Sequence, residues 1–198
     1  MGKPNVFVVE SHKLVMLGIP KVAQTSIKRA FLGPEVENVH DKRHFQYLDY
    51  KEVKAFENRG YISATFVRNP YDRFLSFWKQ KIRVENKFTR SNANPFKAGM
   101  TFPETVNVVC NIQDDHSDIH FKSQLAQVEI DGLLPIFLGK LECIDKDWEE
   151  LDKYLEEPLP TLPFENRTPD YRSEWDDNLR DKIYTRFQRD FRILGYDK

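Results

Sequence analysis

The sequence predicts an α/β fold, a central parallel sheet flanked by helices in a single domain over residues 1–198. Three observations predict it. Two short apolar runs each lead through a proline-bearing turn into an amphipathic helix, the strand–loop–helix unit of parallel sheets. Hydrophobic residues make up 40% and aromatics 13% of 198 residues, including 15 Phe, which is enough for one buried core and too apolar for disorder. Only two cysteines, Cys110 and Cys143, are present, so neither a disulfide framework nor a zinc site is indicated.

The elements follow in order. Val6–Val9 and Leu14–Ile19 are apolar runs separated by Ser11, His12 and Lys13; they read as strands, the second buried on both faces. After Pro20, the stretch Thr25–Leu32 reads as a helix stopped by Gly33-Pro34. Tyr61–Val67, rich in β-branched and aromatic residues, is a strand. Asn69 caps the next helix and Pro70 takes its first position, with Phe74, Phe77, Trp78 and Ile82 along one side. Thr101 and Glu104 form a capping box. Ile136–Leu138 is a further short strand. Trp148, Leu151, Tyr154 and Leu155 mark a helix in an acidic, solvent-facing segment. Leu179, Ile183, Phe187 and Phe191, four apart, mark one last long helix. Between these two helices Pro158, Pro160, Pro163 and Pro169 stiffen a loop. No internal repeat, low-complexity tract or domain linker interrupts the chain.

Charge and hydropathy exclude several classes. With 30 Lys+Arg against 31 Asp+Glu the net charge is −1, so no global cationic surface for nucleic acid is present. No apolar run approaches the ~18 residues that span a bilayer. Val6–Val9 is too short for a signal peptide, and Val6 stands where myristoylation after Gly2 calls for Ser or Thr. The expectation is a soluble, cytoplasmic protein with two free thiols.

Two segments could carry chemistry. In the first, Lys21, Val22, Ala23, Gln24, Thr25, Ser26 and Ile27 join a strand to a helix N-terminus. There, backbone N–H groups and the positive helix end favour an anion. It is not a Walker A loop, since G-x-x-x-x-G-K-[ST] is absent and the lysine stands at the front. Read alone, it is equally an ordinary helix start with two exposed lysines. In the second, Arg68 follows a strand at its carboxyl end, where open α/β sheets place ligands, and Ser76 lies two turns into the next helix. A guanidinium suits phosphate because its fork donates twice; the plainer alternative is an Arg paired with Asp72 and a serine that merely packs. From Arg68 to Arg90 seven basic residues face only Asp72 and Glu85 as acids, a field that would draw anions or simply a solvated face.

Taken together, the segments resemble the two cofactor-binding signatures of sulfotransferases that use 3′-phosphoadenosine-5′-phosphosulfate (PAPS), above all the family that includes the Golgi carbohydrate sulfotransferases. That family's P-K-x-x-x-T-S-x-K-R loop for the 5′-phosphosulfate is matched by Pro20, Lys21, Thr25, Ser26, Lys28 and Arg29. Its V-R-x-P-x-x-R-x-x-S site for the 3′-phosphate is matched by Val67, Arg68, Pro70, Arg73 and Ser76. Weaker likenesses run through Asp118, His120, Phe121 and Gln124, through Gly139 and Glu142, through Asn166-Arg167-Thr168, and through Asp190-Phe191 to Gly195-Tyr196. Together they cover most of residues 14–196. Gln24 departs from the family, which often has a small residue or Cys there, and the Golgi members' N-terminal membrane anchor has no counterpart.

The resemblance implies a P-loop-like three-layer fold and in-line transfer of a sulfuryl group from PAPS to an acceptor hydroxyl, most naturally of a carbohydrate, with 3′,5′-adenosine bisphosphate released. Lys21 would stabilise the leaving phosphate with Thr25, Ser26 and the loop N–H groups, and Arg68 and Ser76 would hold the 3′-phosphate. His120 would orient the cofactor, and a lid carrying Asn166 and Arg167 would close over the nucleotide. His44 lies in H-F-Q-Y-L-D-Y, which resembles the stretch bearing the proposed base of uronyl 2-O-sulfotransferases. An imidazole suits that task near neutral pH; the alternative is a surface histidine beside Asp41, Lys42 and Arg43. The pairs His40/His44 and His116/His120 also have metal-ligand spacing, so a metal-dependent phosphohydrolase and a non-catalytic nucleotide-binding module are the rival readings.

Overall fold

The computed structural model describes residues 5–84, 95–97, 99–163 and 174–198. By its contacts the chain divides into two compact units, residues 1–68 with 126–167 and residues 69–125 with 168–198. The helices in chain order are α1 (Gln24–Leu32), α2 (Tyr50–Glu57), α3 (Pro70–Phe77), α4 (Phe102–Cys110), α5 (Leu125–Val128), α6 (Ile144–Asp152), α7 (Asp177–Arg186) and α8 (Gln188–Ile193).

The first unit is built on a five-stranded sheet, β1 (Val6–Val9), β2 (Leu14–Leu17), β3 (Gln46–Leu48), β4 (Ile62–Val67) and β5 (Phe137–Lys140), in the order β3-β1-β2-β4-β5. β2, β4 and β5 run parallel, but β1 is antiparallel to both its neighbours. The predicted parallel sheet is thus corrected to a mixed one. The reason lies in the connection: only Glu10–Lys13 join β1 to β2, with Lys13 left-handed (φ 46°) and its N–H on the Glu10 carbonyl at 3.1 Å. So short a link can close only a hairpin, because parallel partners need a crossover of a dozen or more residues. β2 is buried along its whole length, as expected of a strand flanked on both edges and covered on both faces. It ends at Leu17, short of the expected Ile19. On this framework Phe31 of α1 and Phe66 of β4 both pack on Trp148 of α6, with ring centroids 5.9 and 6.0 Å away. Tyr154 and Leu155 fall beyond the end of α6.

The second unit is helical. Asn69 caps α3 by accepting from the Tyr71 N–H at 2.9 Å, with Pro70 at the first position. The helix continues as a π-helix over Trp78–Val84. Thr101 and Glu104 form the expected capping box on α4. Phe74, Phe77, Trp78, Phe96, Phe102, Phe121 and Phe191 make a largely aromatic core. The expected last helix is two helices, broken at Phe187 (φ −112°, ψ 25°). Leu179, Ile183, Phe187 and Phe191 are nevertheless all buried, so the apolar stripe survives the break in the backbone. Among the described residues no helix is long and apolar enough to cross a membrane. Cys110 and Cys143 are free thiols.

One buried cation ties α1 to β3. Lys28 is 2% exposed; its ammonium donates to the Tyr47 hydroxyl at 2.8 Å and lies over the rings of Phe7 and Tyr47. Burial lowers its pKa from the usual 10.5 to about 8. Between those values the unfolded chain binds more protons than the folded one, so this group makes stability rise with pH across the interval. Urea denaturation at pH values through that window should show the wild type gaining on Lys28→Met as pH increases, and no such gain below it. Gly139 supplies a second check. A Cβ there would come within 2.5 Å of the Phe66 ring, so Gly139→Ala should lower the unfolding free energy by about 1–3 kcal/mol through overpacking.

Candidate functional site

β2 hands over to α1 through a loop whose shape is set by three residues. Gly18 lies where a Cβ would stand 2.1 Å from Gln24 Nε2 and 2.9 Å from Asn5 Nδ2, so a larger residue there would have to displace both side-chain ends. Lys21 (φ 72°) and Ala23 (φ 43°) are left-handed. Left-handed residues alternating with ordinary ones turn successive N–H groups toward one side, the geometry of an anion-binding nest. α1 then begins at Gln24 with Ala23 as its cap, a residue that makes no side-chain cap hydrogen bond, and the positive end of such a helix favours an anion.

The predicted loop residues divide by task. Val22 and Ile27 are buried, 2% and 3% exposed, and fasten the loop to the core; they offer a ligand only main chain. Gln24 turns inward: its Nε2 is buried against Gly18 and has no partner, so its side chain braces the loop from beneath. Lys21 and Thr25 are half-buried and Ser26 is buried.

β2 and β4 pair in parallel, Met16 opposite Ala64, and the Thr65 hydroxyl donates to the Leu17 carbonyl at 2.7 Å. The carboxyl ends of the two strands therefore lie side by side. As a result Arg68, just past β4, donates from Nη1 to the Lys21 carbonyl at 3.3 Å. The structure thus brings the two sequence motifs together at their central residues.

It does not bring His44 to them. β3 is antiparallel to β1, with Gln46 opposite Val8, so the chain before β3 stands at the edge where β2 begins, not where it ends. His44 is exposed there and lines a cavity of about 480 Å³ with Glu10, His12, Phe31, Phe45 and Pro158. The histidine that reaches the loop is His40, whose Nε2 lies 3.2 Å from the Thr25 hydroxyl. In the sequence His40 stands out only as half of the His40/His44 pair with metal-ligand spacing. The one signal that favours it is position, four residues nearer α1.

Of the remaining predicted residues, Ser76 and His120 belong to the second unit. Ser76 is 5% exposed on α3. Arg73, one turn earlier, is buried and donates to the Lys122 and Ile119 carbonyls at 2.8 and 3.1 Å. His120 Nδ1 lies 2.6 Å from Asp118 Oδ1. Beside them Asp190, 1% exposed, accepts from the N–H groups of Gln124 and Leu125 at 2.7 and 3.0 Å. Burial pushes its carboxyl up, against the pull of those N–H groups and of the Arg73 charge. Arg73 and Asp190 are thus structural members of their motifs, a division of labour that spacing alone does not reveal. Asn166 and Arg167 lie outside the described residues. Among the described residues no group of three or more His, Cys, Asp or Glu side chains could hold a metal ion.

A family model described as "Sulfotransferase family" matches residues 4–197. Carbohydrate sulfotransferase 12 of Xenopus laevis is 24% identical, over 98% of this chain and 60% of its own length. Its Mus musculus counterpart is 23% identical over the same shares, 98% and 60%. Carbohydrate sulfotransferase 10 of Xenopus laevis is 23% identical over 97% of this chain and 67% of its own. The chain thus spans about 60% of the length of the first two relatives. No solved structure matches it significantly.

Proposed function

The chain belongs to the sulfotransferase family, and we propose that it moves the sulfuryl group of PAPS to a hydroxyl of a carbohydrate acceptor, releasing 3′,5′-adenosine bisphosphate. In this reading residues 1–198 are a single sulfotransferase domain with a P-loop-like, three-layer fold. The observation that carries it is the hydrogen bond from Arg68 to the Lys21 carbonyl, because it joins the two segments that resemble the family's phosphosulfate and 3′-phosphate signatures. The acceptor class follows the names of the relatives.

The donors at the loop suit the 5′-phosphosulfate. A helix start whose N-cap residue makes no side-chain hydrogen bond, two left-handed loop residues, the Thr25 and Ser26 hydroxyls and the Lys21 ammonium all offer hydrogen or positive charge. PAPS, when bound, supplies an activated sulfuryl group on a phosphate that leaves readily. Lys21 offsets the charge that grows on the departing phosphate oxygen. Thr25, Ser26 and the first-turn N–H groups of α1 hold the outer oxygens, and preorganised donors of this kind are usually the largest catalytic term. Arg68 and Ser76 grip the 3′-phosphate and so set affinity and register. His120 orients the nucleotide.

Removing a preorganised donor of this kind costs about 2.7–4 kcal/mol, so Lys21→Ala should lower kcat by about 10²–10³-fold, measured with labelled PAPS against a panel of oligosaccharides. Calorimetric titration tests the nucleotide site directly. 3′,5′-adenosine bisphosphate should bind more tightly than 5′-AMP, and Arg68→Ala should remove most of that difference. Equal affinity for the two nucleotides, or a gain that survives Arg68→Ala, would overturn the reading.

A further inference from the structure

We propose that the cavity at the amino-terminal end of β2 binds an uncharged saccharide, at a site separate from the loop before α1. The inference does not rest on the sulfotransferase reading; the chemistry of the lining carries it.

The cavity of about 480 Å³ lies wholly in the first unit, among the β1–β2 hairpin, the end of α1, the start of β3 and Pro158. Small-molecule sites have volumes of about 300–1,000 Å³. The loop before α1 leaves β2 at its other end. The two places are thus at least the length of this four-residue strand apart, about 13 Å at about 3.3 Å per residue.

The walls are fixed without a ligand. His12 Nε2 lies 3.1 Å from the Pro158 carbonyl, which only accepts, so this nitrogen donates. Nδ1 of the same ring lies 2.8 Å from the Ser11 hydroxyl. The His12 ring meets Phe31 edge-on, with centroids 5.3 Å apart, and Phe31 backs onto Trp148. Phe45 rests on Phe7, centroids 4.7 Å apart. The Tyr61 hydroxyl donates to Glu10 Oε2, which steadies the carboxylate without using Oε1. Lys13 bridges to Glu156 at 3.3 Å and straps the hairpin to the segment before Pro158. A site held in this way has little left to order when a ligand enters.

The lining mixes ring surface with planar polar groups. Phe31 and Phe45 are half-buried, and the negative face of such a ring attracts the polarised C–H bonds of a pyranose. Glu10, His44 and Gln46 are exposed. They add a carboxylate, an imidazole and a primary amide, which between them donate to and accept from neighbouring hydroxyls. A purely apolar ligand would take these groups out of water and leave them unpaired. An anion is disfavoured as well. Among the described residues that line the cavity there is no Lys or Arg, and Glu10 repels a phosphate, sulfate or uronate. The cations next to lining residues in sequence are engaged elsewhere: Arg29 by the Gly33 and Val36 carbonyls, Arg43 by Asp41 and Lys13 by Glu156. A cation would gain little from one exposed carboxylate. The ligand that suits all of these groups has a C–H face, several hydroxyls and no charge.

The test is an NMR titration of isotope-labelled protein with lactose, cellobiose and N,N′-diacetylchitobiose. At up to about 20 mM, enough to fill a millimolar site, at least one of them should shift the amide signals of residues 10–12 and 44–46. Glucuronate at the same concentration should leave those signals unmoved. Gln46→Ala, an exposed change on the edge strand β3, should weaken the responding sugar about 2–10-fold, the worth of one lost hydrogen bond. Phe45→Leu, which keeps bulk and removes the ring, should weaken it too, and neither variant should alter the affinity for 3′,5′-adenosine bisphosphate. Silence at residues 10–12 and 44–46 with all three sugars overturns the proposal. So does an equal response to glucuronate, or sugar binding that Gln46→Ala and Phe45→Leu both leave untouched. Failure of 3′,5′-adenosine bisphosphate to bind the wild type would fell the sulfotransferase reading and leave this site standing.

Discussion

The parallel pairing of β2 with β4 is the constraint on which everything else depends. Parallel neighbours bring their carboxyl ends to one edge, and here that edge receives two strand-to-helix turns at once. The Thr65 hydroxyl, bonded to the Leu17 carbonyl in the buried interior, ties the last residue of one strand to its neighbour and so fixes how the turns emerge. Arg68 can reach the Lys21 carbonyl only because of that alignment. A slip of one residue between the strands would reverse the faces of all the side chains of one of them and would carry the guanidinium away from the loop.

The loop itself is held against local preference. Two non-glycine residues, Lys21 and Ala23, are left-handed, a conformation costing roughly 1–2 kcal/mol each. Gln24 adds a buried amide nitrogen with no partner. Such costs persist only where surrounding packing over-determines the backbone, and here Ile19, Val22 and Ile27, all nearly inaccessible, supply that packing. The result is a backbone shaped before any ligand arrives, which is the condition under which fixed dipoles act without reorganisation.

What could be read from the amino-acid order, and what could not, divides along physical lines. Local chemistry was legible: Asn69-Pro70, the Thr101/Glu104 box and the loop before α1 each report a nearby backbone requirement. Strand direction was not, although the brevity of Ser11–Lys13 already implied a hairpin, because the repeated strand–helix units drew attention to the parallel part of the sheet. The four-residue spacing from Leu179 to Phe191 reported the buried stripe correctly yet concealed the break at Phe187, since burial constrains side chains more tightly than it constrains helical continuity. The site shows the same contrast. The motif around His44 resembles one that bears a base elsewhere, but which histidine reaches Thr25 depends on how the chain between α1 and β3 lies over the helix, and that path leaves little trace in residue type.

Gln24 and Gly18 carry a consequence for how this chain can diverge. The amide of one occupies the space that any side chain at the other would need, so the two positions form a single unit of variation despite the five residues between them. Shortening residue 24 to alanine or cysteine would leave Asn5 as the remaining obstacle at position 18. Evolutionary drift at the start of α1 therefore opens or closes the choice of residue at the end of β2, and lineages that part ways at one site should be found to have parted at the other.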